Sequence, residues 1–370
     1  MELVEAERLG LLDFNGLVRD LGSGRAGAIQ GAGFELRREA GVWMLVPAPG
    51  QAVTVGGRPC PSGGLSLATP CFVRSGGGGV ALCPLQDGTL RLGELRFASR
   101  AMARAVFQVL AASASTHPVL LEGPSGAGKE LLATAVHACG LQAPGPLVAV
   151  NCGALSRELA LSELFGCERG AYTGAVRDRR GLVAEAHKGV LFLDEVSELP
   201  LETQAALLRV LEGAPVRALG SERPRAWTFR LVAAANCSLG ERVARGLFRA
   251  DLLQRISVLR VRVPGLAERP EDLPVLWRHF AGQELPASPG PEALRLLVRY
   301  PWPGNVRELR GFMERLKVFG AGVPAPRVLL DLLLEQGSLA PGSSRSELLR
   351  VAGLPRSTYY YRLKRSRESA

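Results

Sequence analysis

The chain has 370 residues, enough for two or three domains, and 47% of them are apolar, enough for real cores. Lys and Arg outnumber Asp and Glu, 45 to 35, for a formal charge of +10; this favours a polyanionic partner and says nothing about fold. Seven scattered cysteines (Cys60, Cys71, Cys83, Cys139, Cys152, Cys167, Cys237) form no Cys-x-x-Cys pair, which excludes a zinc module and a disulfide scaffold and fits a reducing compartment. The acidic opening Met1–Arg8 is unlike a secretory leader. No apolar run approaches the ~18 residues of a membrane span, so a cytoplasmic protein with no membrane partner is expected.

Residues 1–94 are rich in Gly, with short apolar runs at Gly41–Val46, Gln51–Val55 and Gly79–Cys83. Short β-type runs split by Gly and Pro predict a small all-β module. From Leu95 the texture changes. A helix is expected over Ser99–Ala112, and then apolar strands alternate with amphipathic helices to Arg262. The expected strands are Pro118–Glu122, Leu147–Asn151, Gly189–Leu193 and Phe229–Ala234. Alternation of this kind predicts a mostly parallel sheet covered by helices, here over 95–263. Residues 264–320 read as helices only, 321–340 as a linker with one apolar helix at Val328–Glu335, and 341–370 as an Arg-rich tail.

Chemistry concentrates at three strand ends. Val119–Glu122 runs into Gly123-Pro124-Ser125-Gly126-Ala127-Gly128-Lys129 and then a helix that opens with Glu130. This is the phosphate-loop pattern in its strand–loop–helix context. Its glycines let backbone N–H groups surround a phosphate, Lys129 adds charge toward the terminal phosphates, and the helix N-terminus adds its partial charge. Gly189–Leu193 ends in Asp194 and Glu195. Asp194 suits a magnesium ion and its water, and Glu195 suits a base that polarises an attacking water. Phe229–Ala235 ends at Asn236, which reads as a γ-phosphate sensor or a plain turn residue. Arg249 and Arg255 read as helix-surface arginines or as groups that reach a neighbouring subunit's phosphate.

The segment Glu163-Leu-Phe-Gly-Cys-Glu-Arg-Gly170-Ala171-Tyr172-Thr173-Gly174-Ala175 resembles the signature of sigma-54-dependent transcriptional activators, the bacterial enhancer-binding proteins of the AAA+ class. The resemblance runs from Leu95 to Phe319 and includes Val150-Asn151-Cys152, Leu207–Glu212, Phe248–Leu252 and Trp302–Leu309. It implies an ATPase that uses ATP and Mg2+, assembles as a homo-oligomeric ring (a hexamer is expected), and remodels the sigma-54 RNA polymerase holoenzyme. Gly170–Ala175 would be the loop that touches the sigma factor, with Thr173 its main contact. Asn151 would couple the γ-phosphate to Glu195, Arg249 and Arg255 would act on the neighbour's nucleotide, and Arg307 would sense nucleotide from the lid. The alternative is an AAA+ motor that remodels another protein or nucleic-acid target. The chain departs from the family at Tyr172 (usually Phe), Pro124 (often Glu) and Ala235 (usually Thr).

The tail 341–370 holds six Arg and one Lys against two Glu. It resembles the family's helix-turn-helix, with Pro355–Arg365 as the major-groove helix on enhancer DNA. Arg356, Ser357, Thr358 and Tyr360 are the expected DNA contacts, and Arg362, Lys364 and Arg365 are expected at phosphates. Residues 1–94 resemble a diverged forkhead-associated domain at Asp20–Gly24 and Val53–Arg58. The paired Gly-Arg and Ser-x-x-His signature for phosphothreonine is not found, so a regulatory β-module is expected, with a phosphoprotein partner as the other option.

Overall fold

The computed structural model describes residues 9–13, 18–20, 27–28, 33–39, 42–67, 70–76, 78–171, 177–215, 217–221 and 224–319. The expected sigma contacts Tyr172, Thr173, Gly174 and Ala175, the linker helix Val328–Glu335 and the whole helix-turn-helix with its DNA contacts lie outside these residues. The chain divides into two compact units, one holding residues up to Leu95, Arg100–Pro124 and Gly128–Val263, the other Arg96–Ser99, Ser125–Ala127 and the chain from Pro264.

In the first unit the described residues up to Leu92 form strands and turns only. One antiparallel sheet joins Leu9–Leu12, Val18–Asp20, Gly78–Gln86, Cys71–Ser75, Val53–Val55 and Arg58–Pro59. A second joins Gly27–Ala28, Phe34–Glu39, Val42–Pro47 and Leu65–Ser66. Alternation with period two turns Phe34, Leu36, Trp43 and Leu45 of the second sheet onto Leu11, Val53, Val73 and Leu82 of the first, and these form one core.

The rest of the first unit is built on five parallel strands in the order Leu147–Asn151, Val190–Asp194, Arg230–Ala235, Val119–Glu122, Leu259–Arg262. Strands Val190–Asp194 and Arg230–Ala235 are buried nearly throughout, as expected where both faces are covered. Helix Arg100–Ser113 buries Met102, Ala103, Val106, Phe107, Val109 and Leu110. A helix apolar on so many sides needs cover all round. It packs on the β-module strands on one side, and on helix Lys129–Ala138 and strand Leu259–Arg262 on the other.

The second unit contains helices Asp272–Ala281, Pro291–Arg299 and Asn305–Phe319. They close on a core of Leu273, Leu276, Trp277, Leu297, Tyr300, Trp302, Phe312, Met313 and Leu316. Trp302 is 1% exposed, its ring stands edge-on to Tyr300 with centroids 4.9 Å apart, and its indole N–H donates to the Leu297 carbonyl at 2.8 Å.

Candidate active site

In a sheet of this order the helix connections part beside strand Val119–Glu122, and ligands sit beyond the carboxyl ends of the strands there. The phosphate loop leaves that strand at Gly123, whose N–H donates to the Ala235 carbonyl at 3.2 Å. A Cβ on Gly123 would meet the Val263 carbonyl at 2.3 Å, so only glycine fits. Gly126 and Gly128 have φ of +72° and +104°, which favours glycine again. Helix Lys129–Ala138 follows at once, with Glu130 in its first turn. Lys129 is 7% exposed, and its ammonium donates to the carbonyls of Gly123 at 2.8 Å and Pro124 at 3.0 Å. The loop itself therefore holds the cation at its mouth.

The acidic pair stands two strands away. Parallel register sets Asn151 opposite Asp194, and Asn151 Oδ1 accepts from the Gly153 N–H at 2.8 Å. Glu195 has φ +52°, a left-handed conformation that is costly for a long side chain and typical of functional sites. Its N–H donates to Asp194 Oδ1 at 3.0 Å. The turn brings the Glu195 carboxylate back toward Asn151. A Cβ on Gly153 would meet Glu195 Oε2 at 2.6 Å and Asn151 Oδ1 at 3.1 Å. Burial pushes the neighbouring Cys152 thiol up to about 12, helped by the charges of Asp194, Glu195 and Glu198. Asn236 follows Ala235, whose register partner is Glu122, the residue before the loop; it is exposed there.

Of the remaining expected site residues, Arg249 and Arg255 make their hydrogen bonds elsewhere and Arg307 meets the phosphate loop. Arg249 precedes helix Ala250–Ile256, its backbone N–H held by Gln204 Oε1 at 2.9 Å and its guanidinium fixed on Asp251. Arg255 donates twice to the Leu211 carbonyl. Among the described residues neither makes a hydrogen bond to Asp194, Glu195 or the phosphate loop of its own chain. Gly170 and Ala171 begin the signature loop just beyond Gly166–Cys167, which pairs antiparallel with Arg179–Arg180. The Glu168 N–H donates to the Leu219 carbonyl at 2.9 Å, and Leu219 returns a bond to the Gly166 carbonyl at 2.9 Å. In the second unit, Arg307 Nη1 lies 3.3 Å from the Ser125 hydroxyl. Sequence reasoning missed Gly153, Arg269 and Asn305. Gly153 has no signature, because its role comes from how closely Glu195 approaches it.

The glycine-only contour of the loop, a lysine at its mouth and a carboxylate pair at the next ligand edge fit a nucleoside triphosphate with Mg2+. A magnesium ion in such a site needs one or two carboxylates plus phosphate oxygens rather than a protein cage. Together the sheet order, the loop and the helical lid define an AAA+ P-loop ATPase module. Two family models divide that module between them: the Sigma-54 interaction domain matches residues 95–262, and the AAA+ ATPase lid domain matches 267–337. The chain is similar to the C4-dicarboxylate transport transcriptional regulatory protein DctD of Rhizobium meliloti, 42% identical over 67% of this chain and 58% of that one. It is also similar to the DNA-binding transcriptional regulator NtrC of Azospirillum brasilense, 45% identical over 57% of this chain and 45% of that one. NtrX of Brucella abortus, solved in complex with ATP, superimposes with a TM-score of 0.57 at 32% identity, covering 75% of this chain and 70% of that one. The chain belongs to the sigma-54 interaction-domain family of transcriptional regulators. It spans about half the length of the two regulators above.

Proposed function

We propose that this chain is a sigma-54-dependent transcriptional activator that hydrolyses ATP in a homo-oligomeric ring, a hexamer, and uses the cycle to remodel the sigma-54 RNA polymerase holoenzyme in the cytoplasm. The partition is that of the sequence: a regulatory β-module at 1–94, an ATPase core at 95–263, a lid at 264–320, a linker at 321–340 and a DNA-binding tail at 341–370. ATP with Mg2+ supplies the phosphoanhydride bond and the charge neutralisation. Lys129 and the loop N–H groups bind the phosphates, Asp194 would hold a magnesium ion, which would neutralise phosphate charge, and Glu195 takes the proton of the attacking water. Asn151, beside Glu195, relays the nucleotide state, with Asn236 and Arg307 as further sensors. Arg249 and Arg255 act on the neighbouring subunit's site, a reading supported by their side-chain hydrogen bonds, among the described residues, being to Asp251 and Leu211 and not to Asp194, Glu195 or the phosphate loop of their own chain. Enhancer DNA is held by Arg356, Ser357, Thr358 and Tyr360, with Arg362, Lys364 and Arg365 on phosphates. The β-module takes a regulatory partner.

One observation carries the reading. The signature from Glu163 to Ala175 leaves and re-enters the ATPase core at the paired strands Gly166–Cys167 and Arg179–Arg180, so its base is anchored in the body that carries Asp194 and Glu195. The test is transcription in vitro from a sigma-54 promoter with purified holoenzyme. Thr173→Ala keeps ATP hydrolysis and abolishes transcripts. Unchanged transcription overturns the role of the loop, and a wild-type chain without ATP hydrolysis overturns the function.

A further inference from the structure

Three consecutive carbonyls at the tip of the phosphate loop are held from one side. The Ser125 carbonyl accepts from Asn305 Nδ2 at 2.9 Å, the Gly126 carbonyl from the Val306 N–H at 3.1 Å, and the Ala127 carbonyl from Arg269 Nη2 at 2.8 Å. In a planar trans peptide the carbonyl and the following N–H point in opposite directions. Holding these three carbonyls therefore turns the N–H groups of Gly126, Ala127 and Gly128 the other way. A run of N–H groups turned to one side is what recognises a phosphate.

The two side chains are themselves fixed. Asn305 Oδ1 accepts from the Leu266 N–H at 2.7 Å, which sets the amide so that its Nδ2 faces Ser125. Its φ of +52° is one that Asn tolerates better than other side chains. Arg269 is 1% exposed and Asp272 is fully buried; their nearest atoms are 3.4 Å apart. Asp272 also accepts from the N–H groups of Ala98 and Ser99, each at 2.7 Å, and from the Ser99 hydroxyl at 3.1 Å. A buried cation with a fixed counter-ion has little freedom to leave the Ala127 carbonyl. A Cβ on Gly126 would meet the Gly304 carbonyl at 2.4 Å, so the loop and the turn before helix Asn305–Phe319 touch backbone to backbone.

We propose that Arg269 and Asn305 are positioning residues that set the curvature of the phosphate loop, and so the affinity of this protein for the β-phosphate of a nucleotide. The proposal rests on the nucleotide-binding reading above. Its test compares ADP with AMP, because only ADP carries the phosphate that a curved loop encloses. Arg269→Met with Asp272→Asn removes the clamp without leaving a buried charge unpaired. Titration calorimetry of the full chain is expected to show ADP bound at least about 10-fold more weakly, in line with loss of a hydrogen bond to a charged group, and AMP unchanged. Arg269→Lys keeps the charge opposite Asp272 but not the two-pronged donor; it gives a smaller loss of the same selective kind, and guards against a double variant that fails to fold. ADP held as tightly as in wild type by both variants overturns the clamp. Equal losses for ADP and AMP also overturn it, because they report general damage. Wild-type protein that binds no ADP overturns the nucleotide reading, and this one with it.

Discussion

In the proposed function, hydrolysis depends on where one carboxylate sits. Glu195 is aimed by a left-handed backbone (φ +52°), and the open face of Gly153 leaves it room beside Asn151. The obstacle that a Cβ at 153 would meet is the far end of a flexible side chain, so the fold absorbs Gly153→Ala while the carboxylate moves. Displacement of a base by about 1 Å can cost roughly 100-fold in rate. Gly153→Ala is therefore expected to lower ATP turnover about 10- to 100-fold with nucleotide affinity and melting temperature retained. A variant with wild-type turnover would show that Glu195 does not need this position. The positions of Lys129, Asp194 and Glu195 were legible in the sequence because they follow from local order: a loop before a helix, carboxylates after an apolar run. The role proposed for Asn151 comes from resemblance alone; strand register sets the residue opposite Asp194. Gly153 could not be read, since its meaning lies in a contact between residues on different strands' loops.

At the scale of elements, the apolar alternation that predicted a parallel sheet is present, with edges displaced by a residue: Val190–Asp194 against the expected Gly189–Leu193, and Arg230–Ala235 against Phe229–Ala234. Hydrophobicity marks which residues are buried, whereas strand ends are decided by where ladder hydrogen bonds stop. Arg230 is a charge that this pattern does not anticipate, because it starts a fully buried strand. The reason is helix Arg100–Ser113, whose last carbonyls have no partners within the helix. Arg230 is 2% exposed and donates to Ala112 O at 2.7 Å, Ser113 O at 3.3 Å and His117 O at 3.1 Å. Burial pulls its guanidinium down to about 10, which leaves it charged at neutral pH. Arg230→Met keeps the apolar stem but takes this donor from the Ser113 and His117 carbonyls, while Ala112 still accepts from Ser115. It is expected to cost roughly 3 kcal/mol of stability, measured by urea unfolding. A variant as stable as wild type would mean that water or backbone movement satisfies the helix end equally well.

For the molecule as a whole, the sequence pattern suggested a β-module followed by an α/β half, and the texture change near Leu95 suggested a boundary between them. What composition cannot convey is how the two pack. Strand Cys71–Ser75 is covered on both faces: Cys71 and Val73 enter the module's own core, while Phe72 meets Phe107 of helix Arg100–Ser113 edge-on, with centroids 5.6 Å apart. A Cβ on Gly57 would meet the Ala114 carbonyl at 2.5 Å, so a turn of the module presses directly on the end of the same helix. That helix in turn packs on Lys129–Ala138, the helix that follows the phosphate loop and opens with Lys129. A module joined by a slack linker would unfold on its own; one whose strand shares an aromatic contact with the ATPase's first helix should not. Differential scanning calorimetry of the intact chain is therefore expected to show the β-module and the ATPase core melting in one transition. Phe72→Ala should lower that whole transition by an amount equivalent to about 3–5 kcal/mol, the usual cost of deleting a buried ring. If Phe72→Ala instead creates a separate early transition and leaves ATP-dependent stabilisation of the main one intact, the module is an independent passenger, and any regulation by it must come from outside this contact.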